Sequence, residues 1–265
     1  MMLKQNLFVL AFACLALLNA SFTCALPKTF LDEITGQDVS FLWKSHRPAL
    51  PNSPCSEDSI RWIPLGFIGE EYQRFYIHFE SVIRNPERGN TYYVYGKSRV
   101  KNNVCPFQGE LIIEEATSFT YQEFADDPCV LLGGGLAGTY TFFEDPETPH
   151  SGVLEGNFVT DIYLGPRREI YYDNLMWGAD GWSNNSFFGT WTRYGSASPK
   201  TCNWGDARIP GAEGLDGGAC CFIPVQQYVK AGWKTYMDAY WHDDTVSQET
   251  VDAALAEEQR KWWVD

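Results

Sequence analysis

Phe187-Phe188-Gly189-Thr190-Trp191-Thr192-Arg193-Tyr194 is the stretch on which the fold turns. Phe188, Thr190, Thr192 and Tyr194 alternate with Phe187, Trp191 and Arg193 around one glycine, and aromatic and β-branched residues dominate. That is the pattern of a strand. The run downstream is punctuated by Gly and Pro, yet it carries Cys202, Asn203, Trp204, Asp206, Arg208 and Asp216 before it reaches Cys220-Cys221-Phe222. Its composition predicts a long ordered loop over 195–225, and loops of that length in compact domains usually have a function.

Upstream, strand patterns recur at 60–68, 73–84, 91–101, 107–115, 118–124, 136–144, 152–164 and 169–173, before the strand at 186–194. In the clearest, Phe75, Ile77, Phe79, Ser81 and Ile83 form one face. Turn-rich joints at this spacing predict an antiparallel meander that curls into a barrel or sandwich, and helical periodicity is absent from this region. A glycine comes early in several strands, at Gly109, Gly138, Gly156 and Gly189, each followed two positions later by an apolar or aromatic residue. Such glycines allow the bending and close strand approach that closure requires.

The flanks read differently. Residues 1–25 have the charged, apolar and small-residue layout of a secretory signal peptide, so the mature chain is expected to be secreted or extracytoplasmic, with no membrane insertion. Residues 26–58, broken by prolines, predict an extended arm laid over a barrel domain at 59–225. Residues 226–265 predict helices: Val229, Trp233, Tyr236 and Tyr240 fall at helical spacing, and Thr245 with Gln248 resembles a capping box before a second, loosely attached helix.

The formal net charge of -14 repels phosphate backbones and anionic lipid, which excludes nucleic-acid and simple membrane-surface roles and suits a cationic or neutral ligand. Past the leader the cysteines are Cys55, Cys105, Cys129, Cys202, Cys220 and Cys221. An even set in an exported chain predicts disulfides, with Cys202 and one of the adjacent pair stapling the long loop. Cys-x-x-Cys pairs are missing and the four His are scattered, so zinc is not expected. No cofactor motif is present.

Candidate chemistry centres on the loop. An aromatic platform (Trp191, Tyr194, Trp204) beside Asn203, Asp206 and Arg208 suits a small polar or glycan ligand; the same polar residues could equally tie the loop to itself. Asp206 and Asp216 are the least implausible acids for an extracellular carbohydrate hydrolase, the alternative reading, and a surface or interaction protein without a pocket is a third. Enzyme motifs are otherwise absent. Asn184-Asn185-Ser186 is an N-glycosylation sequon.

The segments 187–194, 202–210 (Cys-Asn-Trp-Gly-Asp-Ala-Arg-Ile-Pro) and 232–236 resemble a stretch of uncharacterised β-rich proteins, many of them bacterial, over about the last half of the chain. No activity attaches to that family, so no catalytic role carries over. Cys220-Cys221 is a departure at the end of its Gly-rich run. The meander and its closing strand also resemble calycins, the lipocalin and avidin type, which implies an all-β barrel with C-terminal helices that holds a ligand at its open end.

Overall fold

The computed structural model describes residues 29–45, 63–124 and 126–264. Residues 1–25 and Cys55 lie outside them. Nine strands form one antiparallel sheet: β1 (Leu65–Ile68), β2 (Gln73–Arg84), β3 (Thr91–Val100), β4 (Asn103–Phe119), β5 (Leu132–Glu144), β6 (Gly152–Leu164), β7 (Ile170–Tyr172), β8 (Asn184–Arg193) and β9 (Lys200–Asp206). Each of β1 to β6 pairs with the next. The ring then passes from β6 to β8 and β9, and β9 pairs back onto β1. The result is a closed, calycin-like eight-strand barrel with a few C-terminal helices. β7 pairs with the far end of β6, whose near end pairs with β8, so β7 and β8 share one position in the wall.

The glycine pattern explains how the wall closes. Gly156 and Gly189 face each other across β6 and β8. A Cβ on Gly189 would fall 2.1 Å from the Glu155 carbonyl oxygen and 2.7 Å from Gly156 Cα, so the strands cross at a distance only glycine permits. Gly109 and Gly138 are equally close to the strands beside them.

Three expectations are corrected here. Residues 200–206 are a strand, the one that closes the barrel, and the loop begins only after Asp206. Thr201, Asn203 and Gly205 alternate with Cys202, Trp204 and Asp206, and from Cys202 onward both faces of this strand are covered, so no polar face betrayed it. The 107–115 and 118–124 segments are mostly one strand, β4, whose bulge near Glu114 bends the chain without ending it. A bulge between Phe79 and Ser81 flips the end of β2: Val82 points to the core and Ile83 is exposed.

The arm is also not simply extended. Residues 30–35 form α1 (Phe30–Thr35), started by a Thr29–Asp32 capping box, and a 3-10 turn follows at Ser40–Leu42. This segment corks one end of the barrel. Ile34, Val39, Leu42 and Trp43 join the core formed by Phe79, Tyr92, Phe107, Tyr140, Phe142, Phe158, Phe187 and Trp204. Trp43 Nε1 donates to Thr160 Oγ1 at 2.9 Å, and Thr160 donates in turn to Asn185.

The loop after β9 packs outside. Ile209, Ala212, Leu215, Phe222 and Trp233 cover Leu65 and Phe67, the outward side chains of β1, which is why all of β1 is buried. The first predicted helix is interrupted at Gly232, whose φ of 96° ends a 3-10 stretch before α2 (Lys234–Tyr240). In α3 (Gln248–Glu258) the cap is Ser247, which accepts from Thr250 N, not Thr245. Nor is α3 loosely attached, because Val251, Ala254 and Glu258 are buried, α3 packs on α2, and Glu258 pairs with Arg74 of β2.

Candidate functional site

Four turns gather at the end of the barrel opposite the cork: 69–72, 101–102, 145–151 and 194–199. Beneath them lies a cavity of about 760 Å³. Strand alternation decides what lines it. Ile68, Phe75, Val100 and Trp191 supply apolar wall, Ser98 and Cys105 small polar groups, and Glu144 a carboxylate. Lys101, His150, Arg193 and Lys200 are exposed around the rim.

Glu144 is the chemical centre. It continues the inward face of β5, after Leu136, Tyr140 and Phe142, and is 3% exposed. Oε2 accepts from Gly152 N at 2.8 Å and from Trp191 Nε1 at 2.9 Å, while Oε1 accepts from the Ser98 hydroxyl. Burial pushes this carboxyl above its ordinary range; the three donors pull the other way and do not fully offset it. Cys105 is pushed up to about 12, by burial first and then by Glu144, so it is a poor nucleophile here.

Two of the sequence-predicted site residues belong to this end. Trp191 forms wall and hydrogen bond together, and the Lys200 ammonium lies 5.8 Å from its ring centroid. Tyr194 donates its hydroxyl to the Glu144 carbonyl at 2.8 Å.

The others are elsewhere. Trp204 stacks on Phe187 inside the barrel, with ring centroids 4.9 Å apart. Asp206 accepts from Tyr172 at 2.7 Å and from Asn185 at 2.9 Å beside the cork, next to a void of only about 20 Å³. Asn203 points outward under the loop, donating to the Pro210 carbonyl at 2.8 Å. Arg208 pairs with Asp216 at 2.5 Å and donates to the Ala219 carbonyl at 2.7 Å, while Asp216 also accepts from Gly218 N and Ile223 N. These polar groups hold the loop together. Asp206 is thus inside the barrel and Asp216 in the outer loop, each within its own hydrogen-bond network.

The stapled loop is a correction. Cys202 is fully buried inside the barrel, whereas Cys220 and Cys221 are exposed outside it, and all three, with Cys105, are free thiols. The inward parity of β9 carries Cys202 away from the loop. The Cys221 thiol is shifted upward, chiefly by its hydrogen bond with Cys220. Asn184, the sequon residue, is 2% exposed, and its Nδ2 donates to the carbonyls of Asp161 and Asp173 at 2.9 and 3.0 Å.

Reading the sequence missed Glu144, Ser98 and the rim cations. The signal for Glu144 was present: a carboxylate in phase with Leu136, Tyr140 and Phe142 on the core side of a strand. No family model, curated protein or solved structure matches this chain.

Proposed function

We propose that this chain is an exported barrel that binds a small, largely apolar molecule in the cavity at its open end. The observation that carries the reading is the cavity itself. Its volume of about 760 Å³ is that of a small-molecule site, and its wall is apolar with a few fixed polar groups converging at Glu144. Trp191 is the stacking surface. The leader-like layout of residues 1–25 supports export.

Filling the cavity tests this. Val100 lines it from β3 at the margin of the aromatic core, so Val100→Trp narrows it. The neutral probe N-phenylnaphthylamine is expected to bind the native chain saturably, and the Val100→Trp variant at least tenfold more weakly with an unchanged melting temperature. Equal binding by the two would remove the cavity as the site.

A further inference from the structure

The far end of the outer loop is a tied turn with two thiols at its tip. Residues 215–217 and 223–225 run side by side: Val225 N donates to the Leu215 carbonyl at 2.7 Å, and Gly217 N to that of Ile223 at 2.9 Å. Oδ1 of Asp216 accepts from both arms, from Gly218 N at 2.9 Å and Ile223 N at 3.2 Å, and Arg208 donates to the Ala219 carbonyl at 2.7 Å. Phe222, itself buried, anchors the turn against Trp233, with ring centroids 5.1 Å apart. Between these ties stand Cys220 and Cys221, both exposed. Free cysteine is among the most buried residue types, so two exposed side by side do not serve packing.

The pair is separated from the other described free thiols, because Cys105 and Cys202 are enclosed in the barrel. The two thiols of the tip hydrogen-bond to each other, which raises Cys221; the Arg208 charge opposes that rise and favours a thiolate there. Exchange with a disulfide from outside needs an accessible thiolate and a second thiol in contact with it, and the tip supplies both.

Adjacency decides what such a pair can become. Consecutive Cα atoms lie about 3.8 Å apart, inside the spacing of about 4.4 Å at which relaxed disulfides begin. A bond between neighbours is therefore readily reduced, unsuited to stapling and suited to exchange.

We propose that Cys220 and Cys221 form a dithiol exchange site whose co-substrate is a disulfide of low molecular weight. One thiolate attacks a sulfur of the disulfide RS–SR, which forms a mixed disulfide and releases RS⁻. The neighbouring thiolate then attacks the chain's own sulfur in that mixed disulfide, closing the bond between Cys220 and Cys221 and releasing the second RS⁻. The pair gives up two electrons and two protons, and RS–SR leaves as two RSH. The site lies outside the barrel and does not depend on the cavity.

Glutathione disulfide tests this. The full chain, reduced and then freed of reductant, is incubated with it, quenched with N-ethylmaleimide and mapped by peptide mass spectrometry. The expected product is a peptide in which Cys220 and Cys221 carry neither label nor glutathione and have lost two hydrogens, while Cys105 and Cys202 remain reduced. In Cys221→Ser the second step is blocked, and glutathione is expected to stay on Cys220. Because the position is exposed, circular dichroism of this variant is expected to match the native chain. An excess of reduced glutathione is expected to reopen the ring in the native chain. A mixed disulfide that persists on the native chain, dimers linked through either cysteine, two untouched thiols, or a ring that resists reduced glutathione would each overturn the proposal.

Discussion

The indole N–H of Trp191 donates to Oε2 of Glu144 at 2.9 Å, joining β8 to the end of β5 beneath the open mouth. Burial holds the Glu144 carboxyl above its ordinary range, so the folded chain takes up this proton more readily than the unfolded one. Its stabilising contribution is therefore complete below the ordinary carboxylate range, about pH 4, and declines as pH rises through the raised folded value. Burial shifts Asp161 and Asp173 in the same direction. In Glu144→Gln the amide oxygen can accept from Gly152 and Trp191 and the amide nitrogen can donate to Ser98. Stability measured by urea unfolding is expected to fall less steeply between about pH 4 and neutrality than in the native chain. Glu144→Ala, which strands three donors, is expected to cost about 2–3 kcal/mol. A Gln variant with the native pH slope would assign that slope to the two aspartates instead.

Arg74 and Glu258 tie the C-terminal helix to the barrel. Two hydrogen bonds of 2.7 and 2.5 Å join them, the side chains are 2% and 4% exposed, and the guanidinium lies 4.5 Å from the Tyr76 ring centroid and 4.9 Å from that of Trp233. Removing one partner leaves a charge buried. Glu258→Ala is expected to cost about 3–5 kcal/mol, and Arg74→Met combined with Glu258→Leu to recover most of it. Calorimetric unfolding of the two variants beside the native chain measures this, and a double variant as unstable as the single one would contradict it.

At Gly189 an added methyl group has nowhere to go. Gly189→Ala is expected to destabilise by about 3 kcal/mol, since backbone must move in two strands. Gly178→Ala, with nothing within 4 Å of the new Cβ, is the control and should stay within about 0.5 kcal/mol. Similar losses in both would remove close strand approach as the cause.

Carbohydrate on Asn184 would displace a buried amide that bonds two carbonyls. Expression in a glycosylating host is expected to give folded protein of unmodified mass at the 184–186 sequon, read by peptide mass spectrometry. Occupied Asn184 in the monomeric, folded fraction would contradict its placement.

Much of the barrel was legible because a wall with one wet side writes its parity into the sequence, as in β2 up to Phe79 and in β8. Parity fails where both sides are dry. From Cys202 to Asp206 the strand has aromatic core on one side and the packed loop on the other, so its Cys, Trp and Asp resembled a decorated loop. The bulge after Phe79 was equally silent, because a single extra residue leaves no compositional trace. For the site, local richness in Trp, Asn, Asp and Arg pointed to 203–208, where those groups serve the fold. The cavity instead draws Phe75, Val100, Glu144, Trp191 and Lys200 from five strands, a convergence that only the closed ring creates.

Trp43 and its neighbours make the barrel a cup and not a pipe. On the proposed reading, and within the described residues, a guest would arrive and depart through the same doorway, so its exchange rate would depend on the four turns there.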